Sequence, residues 1–150
     1  MEQVEEIEVL LVEDKALDAE LTLRALKKGG LANKLLRLND GQQALDYLFC
    51  RGSFENRTPT VPRLVLLDLK MPKFDGIEVL RAIRADKRTQ RIPVVIMTSS
   101  EEEKDIAQSY DVGINSYVVK PVDFAAFAEV VQQAGFYWLA INRSPTPFKG

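Results

Sequence analysis

Residues 64–72 read LVLLDLKMP. Leu64 to Leu67 are four apolar residues in a row, the pattern of a short strand buried on both faces. Asp68 follows at once, and then Leu69, Lys70, Met71 and Pro72. A carboxylate at the tip of an inner strand is costly unless a cation or a hydrogen-bond donor meets it. The question is which residues elsewhere in the chain could meet it.

Similar apolar runs recur, separated by stretches of helical period. IEVLLV (7–12) reads as a strand, and Leu17 to Lys28 as a helix stopped by Gly29-Gly30. NKLLRL (33–38) is a weaker strand. In DGQQALDYLF (40–49), Asp40 stands three residues before Gln43, a capping-box signal for a helix. RGSFENRTPTVP (51–62) reads as a loop. Asp75-Gly76 precede IEVLRAIRAD, where Ile77, Leu80 and Ile83 lie near one helical face. PVVIM (93–97) is a further buried strand, and Ser100 to Glu103 forms a second capping box. SYVV (116–119) is the last strand, and Pro121 leads into a long final helix over about 122–141. Five strands alternating with five helices predict an α/β fold, a doubly wound parallel sheet covered on both faces. One domain spans residues 1–142, and 143–150 is a flexible polar tail.

Composition narrows the function. The 150 residues are 46% hydrophobic and 28% charged, as in a globular domain, and 20 basic against 22 acidic side chains leave a formal charge of −2. That balance gives no electrostatic reason to bind nucleic acid or a membrane surface. The single cysteine, Cys50, has no partner for an internal disulfide, and the acidic start MEQVEEIEV is unlike a secretory leader, so a cytoplasmic location is expected. No histidine is present, which removes imidazole acid–base chemistry and imidazole metal ligands from the chain.

In doubly wound sheets, sites form at the carboxyl ends of the strands. By that rule Glu13 and Asp14 follow the first strand, Asp68 the third, Thr98 and Ser99 the fourth, and Lys120 the fifth. Singly, each has an ordinary reading: a solvated acidic pair, a turn former, a helix cap, a surface lysine. Together they gather three carboxylates, a hydroxyl and an ammonium on one edge. Three close anions require a cation, and hard oxygen ligands select Mg²⁺. A carboxylate beside that metal can attack phosphorus and form an aspartyl phosphate, with Lys120 and Thr98 binding phosphoryl oxygens. Asp68, on an inner strand, is the natural nucleophile.

LLVEDK (10–15), LVLLDLKMPKFDG (64–76), VVIMTSS (94–100) and YVVKP (117–121) resemble, in order, the signature segments of the receiver domains of two-component response regulators. The resemblance implies a flavodoxin-like (βα)5 fold with an extended C-terminal helix. It implies Asp68 as phosphoacceptor from a phosphohistidine on a sensor histidine kinase, and Mg²⁺ held by Glu13, Asp14, Asp68 and the Lys70 carbonyl. It further implies Thr98 as the switch hydroxyl, Tyr117 as the aromatic that turns inward with it, Lys120 as the phosphate-binding lysine, and a cis Lys120–Pro121 peptide. A receiver is not an enzyme in its own right, but it assists its own phosphorylation and dephosphorylation.

Output is expected through protein contact. The segment EEEKDIAQSYDVG (101–113) offers few core anchors, mainly Ile106, Ala107 and Tyr110, so it should be among the less stable parts. The final helix is the opposite case. Phe124, Phe127, Val131, Ala134, Trp138 and Ile141 form one apolar stripe, and Val130 and Tyr137 extend a second. Two stripes exceed what one sheet face covers. A homodimer through this helix is expected, with Phe127, Val130, Ala134, Tyr137, Trp138 and Ile141 at its interface. The GFYWLAIN end (135–142), the long 51–62 loop and LTLRALKKGGLAN (21–33) are also similar to receivers that pair with phytochrome-type kinases.

Three other readings compete. A Mg²⁺-dependent aspartyl-phosphate phosphohydrolase would place a second acid two residues after its nucleophile, where this chain has Lys70. A flavin binder would want a Ser/Thr/Gly-rich phosphate loop where EDKALD (13–18) is acidic. A receiver fold kept only as a scaffold would have no need of an intact acceptor site.

Overall fold

Runs of apolar residues with no polar alternation pair most readily in the interior of a parallel sheet. The computed structural model, which describes residues 7–32, 34–71, 74–99 and 101–143, places them there. Its strands are β1 (Val9–Val12), β2 (Leu35–Leu38), β3 (Leu64–Leu67), β4 (Val94–Thr98) and β5 (Ser116–Val119). They form one parallel sheet in the order β2-β1-β3-β4-β5, so β3 is central. The helices are α1 (Ala16–Lys28), α2 (Gly41–Leu48), α3 (Gly76–Ala85), α4 (Glu103–Val112) and α5 (Phe124–Gly135). This is the doubly wound, flavodoxin-like architecture expected from the alternation of elements.

Strand residues alternate between two cores. Leu10, Val12, Val65, Leu67, Val94 and Ile96 face α2 and α3, against Leu45, Leu80 and Ile83. Val9, Leu11, Leu64, Leu66, Val95 and Met97 face α1 and α5, against Leu26, Phe127 and Val131. Each Leu so buried contributes about 1.5–3 kcal/mol. The two faces together explain why the strands show no polar alternation.

Helix starts follow the sequence in two cases and depart from it in two. The Asp75 carboxylate accepts from the Glu78 N–H at 3.0 Å and the Glu78 carboxylate from the Asp75 N–H at 3.2 Å, a full capping box for α3. At α2 the Asp40 carboxylate accepts from the Gln43 N–H at 2.9 Å, but the Gln43 amide oxygen reaches one residue further back, to the Asn39 N–H. Helix α4 starts at Glu103 after Glu102, and Ser100 lies outside the described residues. The final helix starts later than expected, at Phe124, because Asp123 caps it by accepting from the Ala126 N–H at 2.9 Å. The Lys120–Pro121 peptide is trans, contrary to expectation, and none of the described peptide bonds is cis. An X–Pro bond favours trans by only about 0.5–1 kcal/mol, so the dipeptide alone does not fix the isomer.

The final helix also changes pitch. From Phe136 to Ile141 it widens into a π turn, closed by the Asn142 N–H on the Tyr137 carbonyl at 2.7 Å. The buried stripe is therefore Phe127, Val131, Gly135 and Leu139, not the three-four alternation read from the sequence. Steps of four overshoot a 3.6-residue turn by about 40° each. The wider turn rotates less per residue and brings Leu139 back over the core. Gly135 permits the close approach, since a Cβ there would lie 2.7 Å from Leu26 Cδ2. The Arg63 guanidinium, bound to the Leu139 carbonyl, ties this turn to the start of β3. The predicted tail, 143–150, lies outside the described residues beyond Arg143.

Helix α4 is the least apolar in its attachment. Its buried residues are Asp105 and Ser109, with Ile106 half-buried, whereas the expected anchors Ala107 and Tyr110 face solvent. The inward stripe runs through Asp105, Ser109 and Val112, about 140° of helix rotation away from the one expected. Amides of α4 are accordingly expected to exchange with deuterium faster than those of α3, whose Ile77, Val79, Leu80 and Ile83 are buried. Equal protection of the two helices would contradict this.

Candidate functional site

Register brings the strand-end residues level. Val12 pairs with Leu67, so Glu13 and Asp68 leave the sheet side by side. Thr98 pairs with Val119, so Lys120 emerges one step beyond Thr98. Each is pinned by one more backbone rung. The Glu13 N–H donates to the Leu38 carbonyl at 3.1 Å, that of Asp68 to Val12 at 3.0 Å and that of Lys120 to Thr98 at 2.7 Å. Gly76 adds a second constraint. Its N–H donates to the Leu69 carbonyl at 2.9 Å, and a Cβ there would stand 2.5 Å from the Asp68 carbonyl oxygen. Helix α3 thus packs directly against the backbone that carries Asp68.

Glu13, Asp14 and Asp68 offer carboxylate oxygens that all lie within 4.8 Å of one another. Glu13 and Asp68 are buried. The Asp14 Oδ1 and Asp68 Oδ2 atoms are buried without a hydrogen-bond donor. Unpaired buried carboxylate oxygens are costly, and a compact all-oxygen donor set is the kind that a hard divalent cation satisfies. The residues fit Mg²⁺ or Mn²⁺.

One ammonium enters the cluster from the far side. Lys120, whose side chain is 6% exposed, places Nζ 2.5 Å from Glu13 Oε1, 2.9 Å from Asp18 Oδ2 and 3.7 Å from Asp68 Oδ2. Burial alone would lower the lysine's pKa, but the bonds to Asp18 and Glu13 outweigh it and hold the ammonium charged. Glu13 moves the other way. Burial pushes its carboxyl up to about 7, with the neighbouring Asp68 adding to the rise and Lys120 opposing it.

Thr98 is buried at the end of β4, on the strand parity of Val94 and Ile96, and Tyr117 is half-buried against the same core. These two therefore belong to the face covered by α3, opposite the one that Asp18 on α1 shares. The Lys70 side chain pairs with Asp105 of α4 at 3.4 Å. With Asp75, Glu78, Arg81 and Gln108 it lines a polar cavity of about 300 Å³ beside the site.

Asp18 is the residue the sequence did not mark. It lies outside the strand-end segments, in the first turn of α1, and its carboxylate meets the Lys120 ammonium. An acid one helical turn past a strand-end pair was the available signal. Of the proposed dimer residues, Phe127 is 4% exposed and belongs to the core, which corrects its assignment to an interface. Val130, Ala134 and Trp138 are half-buried, and Tyr137 and Ile141 are exposed.

The family model of the response regulator receiver domain matches residues 9–132. The probable methanogenesis regulatory protein FilR2 of Methanothrix harundinacea is 42% identical over 139 residues, covering 93% of this chain and 88% of FilR2. Response regulator Rcp1 of Synechocystis is 39% identical over 131 residues, covering 87% and 88%. The Mn²⁺-bound crystal structure of Rcp1 superposes with a TM-score of 0.85 at 37% identity, covering 92% of this chain and 98% of that one. The phosphorylated cyanobacterial phytochrome response regulator RcpA superposes with a TM-score of 0.87 at 34% identity, covering 95% and 100%.

The raised Glu13 pKa has a consequence for stability without metal. A carboxyl that is more basic when folded holds a proton that the unfolded chain has lost, so its contribution falls as pH rises from about 4.5 to about 7. Urea unfolding in chelator across that window should therefore show Glu13→Gln losing less stability with rising pH than the wild type. Parallel pH profiles would refute the shift.

Proposed function

The chain belongs to the response regulator receiver domain family, and on that premise we propose that Asp68 accepts a phosphoryl group from the phosphohistidine of a sensor kinase. The observation that carries this is the buried Asp68 carboxylate, with one oxygen lacking a hydrogen-bond donor, between two further carboxylates and an ammonium. Glu13, Asp14, Asp68 and the Lys70 carbonyl would hold Mg²⁺. Bound there, the metal would neutralise charge on a phosphoryl oxygen.

The chain's own groups do the rest. Asp68 is held rigidly by its backbone rung and by α3, so an oxygen can face an incoming phosphorus in line. As its O–P bond forms, the P–N bond to the donor imidazole breaks. No histidine stands within this chain, so that imidazole is supplied from outside it. Lys120 is placed to neutralise a phosphoryl oxygen, and the Thr98 hydroxyl to donate to another. Thr98 and Tyr117 lie on the α3 face, where their movement would reach α4, joined to the acceptor loop by the Lys70–Asp105 pair. Output is then by protein contact. The name of RcpA supports a phytochrome-type kinase as the donor.

We also propose that the chain forms a homodimer through its last helix. Phe124, Phe136, Tyr137 and Ile141 are each about half exposed or more, an apolar surface that monomers tend to avoid. Sedimentation should give a dimer at micromolar concentration, and a monomer with Tyr137→Asp combined with Ile141→Asp. Wild-type monomer alone would exclude it.

Acetyl phosphate with Mg²⁺ is expected to give an alkali-labile phosphoryl adduct, read by intact mass, that is absent with chelator or in Asp68→Asn. No adduct from either acetyl phosphate or a phosphorylated kinase would favour the scaffold. Release of phosphate over many turnovers would favour the phosphohydrolase, against which Lys70 stands where that chemistry wants an acid.

A further inference from the structure

We propose that Asp18 is a positioning residue: it holds the Lys120 ammonium so that Glu13 is released to a divalent cation. The inference rests on reading Glu13, Asp14 and Asp68 as a cation site, and adds to it a residue outside all four signature segments.

The difficulty it resolves is a competition. Lys120 contacts two of the three carboxylates that a cation would need, Glu13 at 2.5 Å and Asp68 at 3.7 Å. An arriving dication repels the ammonium and claims the same oxygens. A lysine this deeply buried cannot simply turn to water, and an unpaired buried charge is strongly unfavourable. Asp18 is the carboxylate that the cation does not claim. It contacts Nζ at 2.9 Å, and its side chain is 25% exposed against 3% for Glu13 and for Asp68. Its position is fixed by the first turn of α1, where its own carbonyl accepts from the buried Thr22 hydroxyl at 2.8 Å.

With Asp18 in place, Lys120 moves toward α1 and keeps a partner as the cation binds. Without it, Glu13 and Asp68 are, among the described residues, the only carboxylates left within 4 Å of the ammonium, and the cation must displace it from both. The effect therefore runs through Lys120, which separates it from the general influence of one negative charge.

The test is a double-mutant cycle read by calorimetric Mg²⁺ titration of the unphosphorylated protein. Asp18→Asn should weaken Mg²⁺ binding by about three- to thirtyfold, the coupling expected within one charge network. In a Lys120→Gln background the same substitution should change affinity by less than about twofold. Asp18→Glu, which keeps the carboxylate, should stay near wild type, and unchanged circular dichroism checks that each variant is folded. Equal weakening in both backgrounds would overturn the proposal, leaving Asp18 only its charge, and so would an unaltered affinity in Asp18→Asn. A wild-type chain that binds no Mg²⁺ would overturn the cation reading itself, and the proposal with it.

Discussion

One buried ammonium compensates the acidic end of this sheet, and much of the structure serves to put it there. Glu13 and Asp68 are carried out of water by the strands that end in them, at a desolvation penalty that only opposite charge offsets. Lys120 supplies it from the end of the edge strand β5, on the same face of the sheet. Its backbone is set by the β4–β5 register and by the rung to Thr98, and its side chain spans to Glu13 and Asp18. One positive charge faces four carboxylates, counting Asp14. The surplus is negative, and it lies where two carboxylate oxygens have no donor. The site is thus preorganised for further positive charge, which is the electrostatic condition the proposed phosphoryl transfer requires.

The two faces of the sheet divide the work. The α1 and α5 face carries the charge network, because Glu13, Asp68 and Lys120 share strand parity with Leu11, Leu66 and Val118. The opposite face carries Thr98, Tyr117 and α4. Helix α3 joins the two, since Gly76 lets it rest on the Asp68 backbone while its apolar stripe fills the core. Helix α4, held by Asp105, Ser109 and an ion pair with Lys70, has little buried apolar area to lose on moving. A polar attachment beside a rigid site is the arrangement a switch needs.

Much of this was legible in the residues. Uninterrupted apolar runs identified the inner strands, and strand-end acids, threonine and lysine located the edge at which a site forms. The cap at Asp40 was visible because Asp40 and Gln43 lie within four residues of each other. What failed depended on longer range. Ala107 and Tyr110 read as anchors of α4 because apolar residues there are few, yet the helix turns Asp105 and Ser109 inward. Phe127 stands on both apolar stripes of the sequence pattern, and only the packing shows that it meets the sheet. Asp18 was missed because its meaning lies in a contact with a residue 102 positions away.

The sequence by itself determined the alternation of strands and helices, the parallel sheet and the family, because local hydrophobic period and strand-end chemistry are written in neighbouring residues. Only the tertiary structure decided which carboxylates share one lysine, how far Glu13 departs from ordinary acidity, and which side of the last helix is core. Those depend on distances across the sheet and on exclusion of water. Both are properties of the packed chain, and no short stretch of residues contains them.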